Sequence, residues 1–180
     1  PPAREWARTR GAKELEDLGF KYVPEYLPEG GFVISPYNLP KASYLSFTNF
    51  ALTHPKMKQI LTKMNEEGYS LLVDPTMAVK KENAVLMGSY RAYSKEIRIL
   101  PKATWEVFIH EYQHLIFDKL GFRDQIYLTP IDQLPPEAQT LGKKVWALSK
   151  RGMSNTAINE TLAVSAEIKA LYKMGYMPWS

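Results

Sequence analysis

No cysteine occurs in the 180 residues, which excludes disulfides, thiolate metal sites, iron–sulfur clusters and a cysteine nucleophile together. Any metal must then be held by nitrogen and oxygen. Histidine is nearly as scarce, with three copies, so where they fall carries weight. No stretch approaches the roughly eighteen consecutive apolar residues of a membrane span, and the N-terminus lacks the apolar core of a signal peptide. Long runs of one charge are missing as well. Twenty-three Lys and Arg against 19 Asp and Glu leave +4. The local basic clusters Arg4, Arg8, Arg10 and Lys13, and Lys143, Lys144, Lys150 and Arg151, are interleaved with apolar residues and read as solvated helix faces. Nucleic acid is therefore not an expected partner. The chain opens Pro1-Pro2 without Met and reads as an excised domain or a processed product, for instance a secreted protein or the effector part of a larger one.

What is present describes a folded domain. A composition of 45% hydrophobic, 12% aromatic and 23% charged residues is too apolar for disorder, and a chain of this length buries roughly 70% of its unfolded surface. Residues 1–30 read as an N-terminal helical arm, with a helix over Ala3 to Leu18 stopped at Gly19 and then Pro24, Pro28, Gly30 and Gly31 as breakers. Residues 31–180 form the main domain. Strands are expected over Gly31 to Ser35 and Ser43 to Thr48, and a helix from Pro55 to Gly68 carries Met57, Ile60, Leu61 and Met64 at helical spacing. A strand over Tyr69 to Asp74 would complete a parallel βαβ unit with Ser43 to Thr48. Ala84 to Tyr90 and Lys95 to Leu100 read as an antiparallel hairpin at the sheet edge. The most apolar helix follows, Ala103 to Leu120, with apolar residues nearly all round it. After an irregular stretch over Phe122 to Pro136, helices at Glu137 to Lys150 and Thr156 to Met174 close the chain, with Ser154 or Asn155 as cap. The expected class is α+β, with a small mixed sheet, one buried helix and a helical C-terminal part.

That buried helix holds His110-Glu111-Tyr112-Gln113-His114, an HExxH motif. Positions i and i+4 lie one turn apart on one helix face, so both imidazoles can address one ion while Glu111 leans toward its open side. Two imidazoles and one carboxylate leave the fourth position of a tetrahedral Zn²⁺ for water, and Glu111 would serve as general base and acid. A metal-free His-Glu-His face inside an apolar helix would instead cost several kcal/mol of unpaired polar burial, about that of any buried polar group left without partners.

The third ligand is expected to be a carboxylate. Position 120 is Leu, which excludes the extended motif with a third histidine, and no histidine follows His114. Asp118, Asp124, Asp132, Glu137, Glu160 and Glu167 are the downstream acids. Glu160 is favoured because Asn155 to Ala170 reads as a helix whose apolar face includes Ile158, Leu162, Ala163 and Ala166. Glu167, two turns further on, is the reserve ligand. Asp118, one turn past His114, is a candidate to orient an imidazole. His54, before Pro55, reads as a helix-entry residue, and Trp105, Trp146 and Trp179 as core.

His110 to His114, followed by Asn159-Glu160-Thr161-Leu162-Ala163, resembles the gluzincin metallopeptidases, whose second motif is a helical Glu often preceded by Asn or followed three residues on by Ala. The strand order before the motif is similar to the compact catalytic domains related to anthrax lethal factor and the Pro-Pro endopeptidases. The specific motifs amount to ten residues, and the architectural likeness spans about Tyr69 to Met174. The resemblance implies a zincin-like fold and a zinc endopeptidase acting on protein or peptide, with the edge strand, taken as Lys95 to Leu100, pairing with extended substrate. Members often carry a Tyr shortly before the ligand Glu, whereas Ser149 to Ile158 contains none. Tyr127, Arg151 and Asn155 are then the candidates to steady the oxyanion. Two rival readings are an inactive zincin-like binding or scaffold module, and a zinc protease acting on nucleic-acid-bound proteins.

Overall fold

The computed structural model describes residues 32–34, 50–74, 79–80, 84–85, 87–100, 103–122 and 130–173. The N-terminal arm, the strand expected at Ser43 to Thr48, Tyr127 and Trp179 lie outside them. The described residues form a mixed α+β structure. A strand, β1 (Phe32–Ile34), precedes two helices, α1 (Phe50–Thr53) and α2 (Met57–Glu66). In α2 the apolar positions Met57, Leu61 and Met64 fall on one stripe and are the buried ones. Gly68 ends this helix with φ +84, and Tyr69 N–H bonds back to the Met64 carbonyl at 2.8 Å. This six-to-one closure needs a left-handed residue, and it turns the chain directly into β2 (Ser70–Val73).

A two-stranded ladder of β3 (Val79–Lys80) and β4 (Ala84–Val85) comes next, then β5 (Gly88–Arg91) and β6 (Glu96–Ile99). The main sheet has the order β1-β2-β6-β5, antiparallel at β1·β2, parallel at β2·β6 and antiparallel at β5·β6. Leu71, Val73, Ile97 and Ile99 point into the core from alternate positions. Arg98 points the other way yet is also buried, held by Asp74 at 3.1 Å and Glu96 at 2.6 Å. A strand buried on both faces is a central strand, and this corrects the expectation that Lys95 to Leu100 lies at the edge. Among the described residues the edges are β1 and β5, and β5 is the one that lies against Glu111. The strand expected over Ala84 to Tyr90 is likewise divided, its first part pairing with β3 and only Gly88–Arg91 with β6.

The HExxH helix is α3 (Trp105–Lys119), and every residue in it except Lys119 is at least half-buried. It begins at Thr104, whose hydroxyl donates to Glu106 in the first turn. A 3₁₀ turn (Ile131–Gln133) precedes α4 (Pro136–Lys150) and α5 (Asn155–Lys173), and the Ser154 hydroxyl caps α5 by accepting from Ala157 N–H at 3.2 Å. One core joins α1, α2, β2 and β6 to the first half of α3 around Phe108. A second joins Phe117 and Phe122 to Ala138 and Val145 of α4 and Ile158 and Leu162 of α5. Truncating the fully buried Phe108 to Ala would cost about 3–5 kcal/mol. Trp105 is core as expected, but Trp146 is 45% exposed, because its position on α4 faces away from the stripe of Ala138 and Val145.

Candidate metal centre

The two motif histidines, half-buried on α3, turn their Nε2 atoms toward each other at 3.3 Å, with ring centroids 5.0 Å apart. Glu160, from the second turn of α5, brings one carboxylate oxygen to 3.0 Å from His110 Nε2 and the other to 3.2 Å from His114 Nε2. Three donors thus converge at separations of 3.0 to 3.3 Å. Ligands on a tetrahedral ion at bond lengths of about 2.0–2.1 Å stand about 3.3–3.4 Å apart, so the spacing suits Zn²⁺.

The far nitrogens of the rings are equally committed. His110 Nδ1–H donates to Glu167 at 2.7 Å, and His114 Nδ1–H donates to the Asn159 amide oxygen at 2.8 Å. A carboxylate can only accept, so the contact with Glu167 is made by a proton on His110 Nδ1, and Nε2 is the nitrogen that would offer its lone pair to an ion. Glu167, the reserve ligand, is thereby bonded to the outer nitrogen of the His110 ring. Asn159 had no assigned role in the sequence beyond its place in the motif. Its signal was its position immediately before Glu160, one residue round the same helix.

Glu111 is buried, with 7% exposure, and its carboxylate belongs to the same group: ligand atoms of His110, Glu111 and His114 all lie within 4.8 Å of one another. Burial pushes its carboxyl up to about 7; the charge of His110 opposes the rise, and those of Glu160 and Glu167 add to it. The strand β5 presses against its stem. A Cβ on Gly88 would come within 3.0 Å of Glu111 Cγ and of Val107 Cγ1, so only glycine lets the edge strand lie this close.

These side chains open into a cleft of about 750 Å³ between β5, α3 and the first turns of α5. Tyr93, at the turn after β5 and 85% exposed, stands at its rim. Asn155 lines the cleft, whereas Arg151 lines a separate groove between α4 and α5. Asp118 also lines the cleft, where it accepts from the Tyr90 hydroxyl at 2.7 Å. His54 stacks on Trp105 at 3.7 Å and accepts from Lys56 N–H at 3.2 Å, away from the site. Burial, with Lys56 nearby, lowers its pKa.

With this geometry in view, comparison with known proteins adds no relative: no protein-family model, curated protein or solved structure matches the chain.

Proposed function

We propose that this protein is a zinc-dependent endopeptidase of the gluzincin type on a zincin-like domain. The observation that carries the reading is the convergence of His110 Nε2, His114 Nε2 and the Glu160 carboxylate, with both Nδ1 protons already accepted by Glu167 and Asn159. His110, His114 and Glu160 would hold the ion. A zinc ion held there supplies a Lewis acid and lowers the pKa of its water toward about 7.

The remaining work falls to the chain. Glu111 faces the same space from a buried position, and a carboxylate there can take a proton from water and return it to a leaving amine. The edge strand suits an extended substrate. Leu100 N–H bonds the Met87 carbonyl at 3.0 Å, so alternation along the β5·β6 ladder turns the backbone groups of Gly88 and Tyr90 outward, away from β6. A peptide laid along the cleft can bond them as an added strand. Asn155, at the opposite wall, is the donor within reach of the cleft among the candidates to steady an oxyanion.

The test is a peptide-library cleavage profile of the zinc-loaded protein beside Glu111→Gln. Internal cleavage by the parent, lost from a variant that still holds zinc, is the expected result. A zinc-loaded parent that cleaves no peptide in a broad library contradicts the proposal.

A further inference from the structure

The segment from 140 to 173 contains six Lys or Arg and two acids, so it alone carries the net charge of +4 and the rest of the chain is balanced. The two acids are Glu160 and Glu167, and both are bonded to the motif histidines. The outward faces of α4 and α5 over this segment therefore hold cations without carboxylates.

Helical periodicity divides α5 into three sides. Asn159, Glu160 and Glu167 look toward α3, and Ile158 and Leu162 pack with α4. The third side, Thr161, Val164, Ser165, Ile168 and Tyr172, bears no charge at all. Val164 is 39% and Tyr172 47% exposed. Beside it on α4 stands the exposed Lys144, with Arg151 just past the helix end, while Lys143 and Lys150 lie about 100° further round α4. Lys144 and Arg151 line a groove of about 320 Å³ with Thr161 and Ser165, so cations and uncharged stripe form one continuous surface. Lys169 and Lys173 flank the stripe further along α5. At the far edge, Trp146 lies under Lys150, 5.1 Å from the ring centroid.

We propose that this face docks the protein onto a lipid bilayer bearing anionic headgroups. Cations meet the headgroups, while Val164, Ile168 and Tyr172 enter the interface between them; aromatic and aliphatic side chains ringed by Lys and Arg are the arrangement that binds such a boundary. The uncharged centre favours lipid over nucleic acid, since a phosphate backbone would call for cations where the stripe lies. No helix among the described residues is long and apolar enough to cross a membrane, so the association is peripheral. The metal cleft opens on another side of α5 and stays accessible when this face is covered.

The test is co-sedimentation of the whole chain with phosphatidylcholine vesicles, with and without about 30% phosphatidylserine, at about 0.15 M salt. Binding to the anionic vesicles alone, released at higher salt, is expected. The fourfold variant K144Q/R151Q/K169Q/K173Q should lower partition about 600-fold, each cation near such a surface being worth about fivefold. V164S/Y172S should lower it several-fold, with an unchanged circular dichroism spectrum and melting temperature confirming the fold of both. If the parent fails to bind anionic vesicles, the proposal is overturned using the unaltered protein. It is also overturned if an oligonucleotide binds more tightly than vesicles and V164S/Y172S leaves that affinity unchanged, which would assign the face to nucleic acid.

Discussion

His54 and the pair His110 and His114 are the same residue type in two regions of the molecule, and their surroundings make them different reagents. His54 spends its ring face on Trp105 and its Nδ1 on the Lys56 amide, so it finishes a helix entry. His110 and His114 give their Nδ1 protons to Glu167 and Asn159 and leave Nε2 facing Glu160. An imidazole is oriented for an ion through what holds its other nitrogen. The contrast can be broken at several points, and the size of each break measures its worth.

The largest effect is expected at the base. Glu111→Gln should cut peptide hydrolysis about 10²- to 10⁴-fold with zinc content unchanged, as read by initial rates and metal analysis on one sample. Next is the shell behind the ligands. Glu167→Gln and Asn159→Leu should each weaken zinc about 10- to 100-fold in a chelator competition, while Glu160→Gln, which removes a ligand, should weaken it more than either. Equal losses for all three would erase the distinction between ligand and ring-orienting partner.

A smaller effect concerns stability without metal. The Glu111 carboxyl is raised from its ordinary value of about 4.5 to about 7, so the fold binds that proton more tightly than the unfolded chain does. The resulting stability is fully present below about pH 4.5 and is lost as pH rises through about 7. Metal-free Glu111→Gln escapes that loss. It should be more stable than the metal-free parent at about pH 8, on the order of 3 kcal/mol by denaturant unfolding, and the gain should shrink toward about pH 4. The smallest break is His54→Ala, which should cost about 1 kcal/mol of stacking and leave zinc affinity untouched. A change in zinc affinity there would join the two regions that the structure separates.

The parts legible in the sequence are those fixed by local periodicity. The i, i+4 spacing of His110 and His114 and the apolar positions around Glu160 needed only the helical repeat, and the stripe of Met57, Leu61 and Met64 likewise. Roles set by distant contacts were not legible. Glu167 shares a helix side with Glu160, but two turns of rise carry it past the Nε2 atoms to the outer nitrogen of His110, a distinction of reach and not of face. Asp118 finds its partner on a strand 28 residues earlier in the chain. Gly88 looks like any strand glycine until α3 is laid against it. The edge strand was misassigned because the parallel pairing of β6 with β2 is a contact between distant segments, and that pairing makes β6 central. The mild net charge was uninformative as a total, although it sits wholly in the contiguous segment from 140 to 173.

The central claim is that His110, His114 and Glu160 bind one zinc ion, and metal analysis of the purified chain, joined to X-ray absorption at the zinc edge, addresses it most directly. The account predicts about one zinc per chain in a shell of two imidazole nitrogens with carboxylate and water oxygens, lost in H110A/H114A. A folded chain that takes up no stoichiometric zinc, or one whose zinc survives that double substitution, would contradict it.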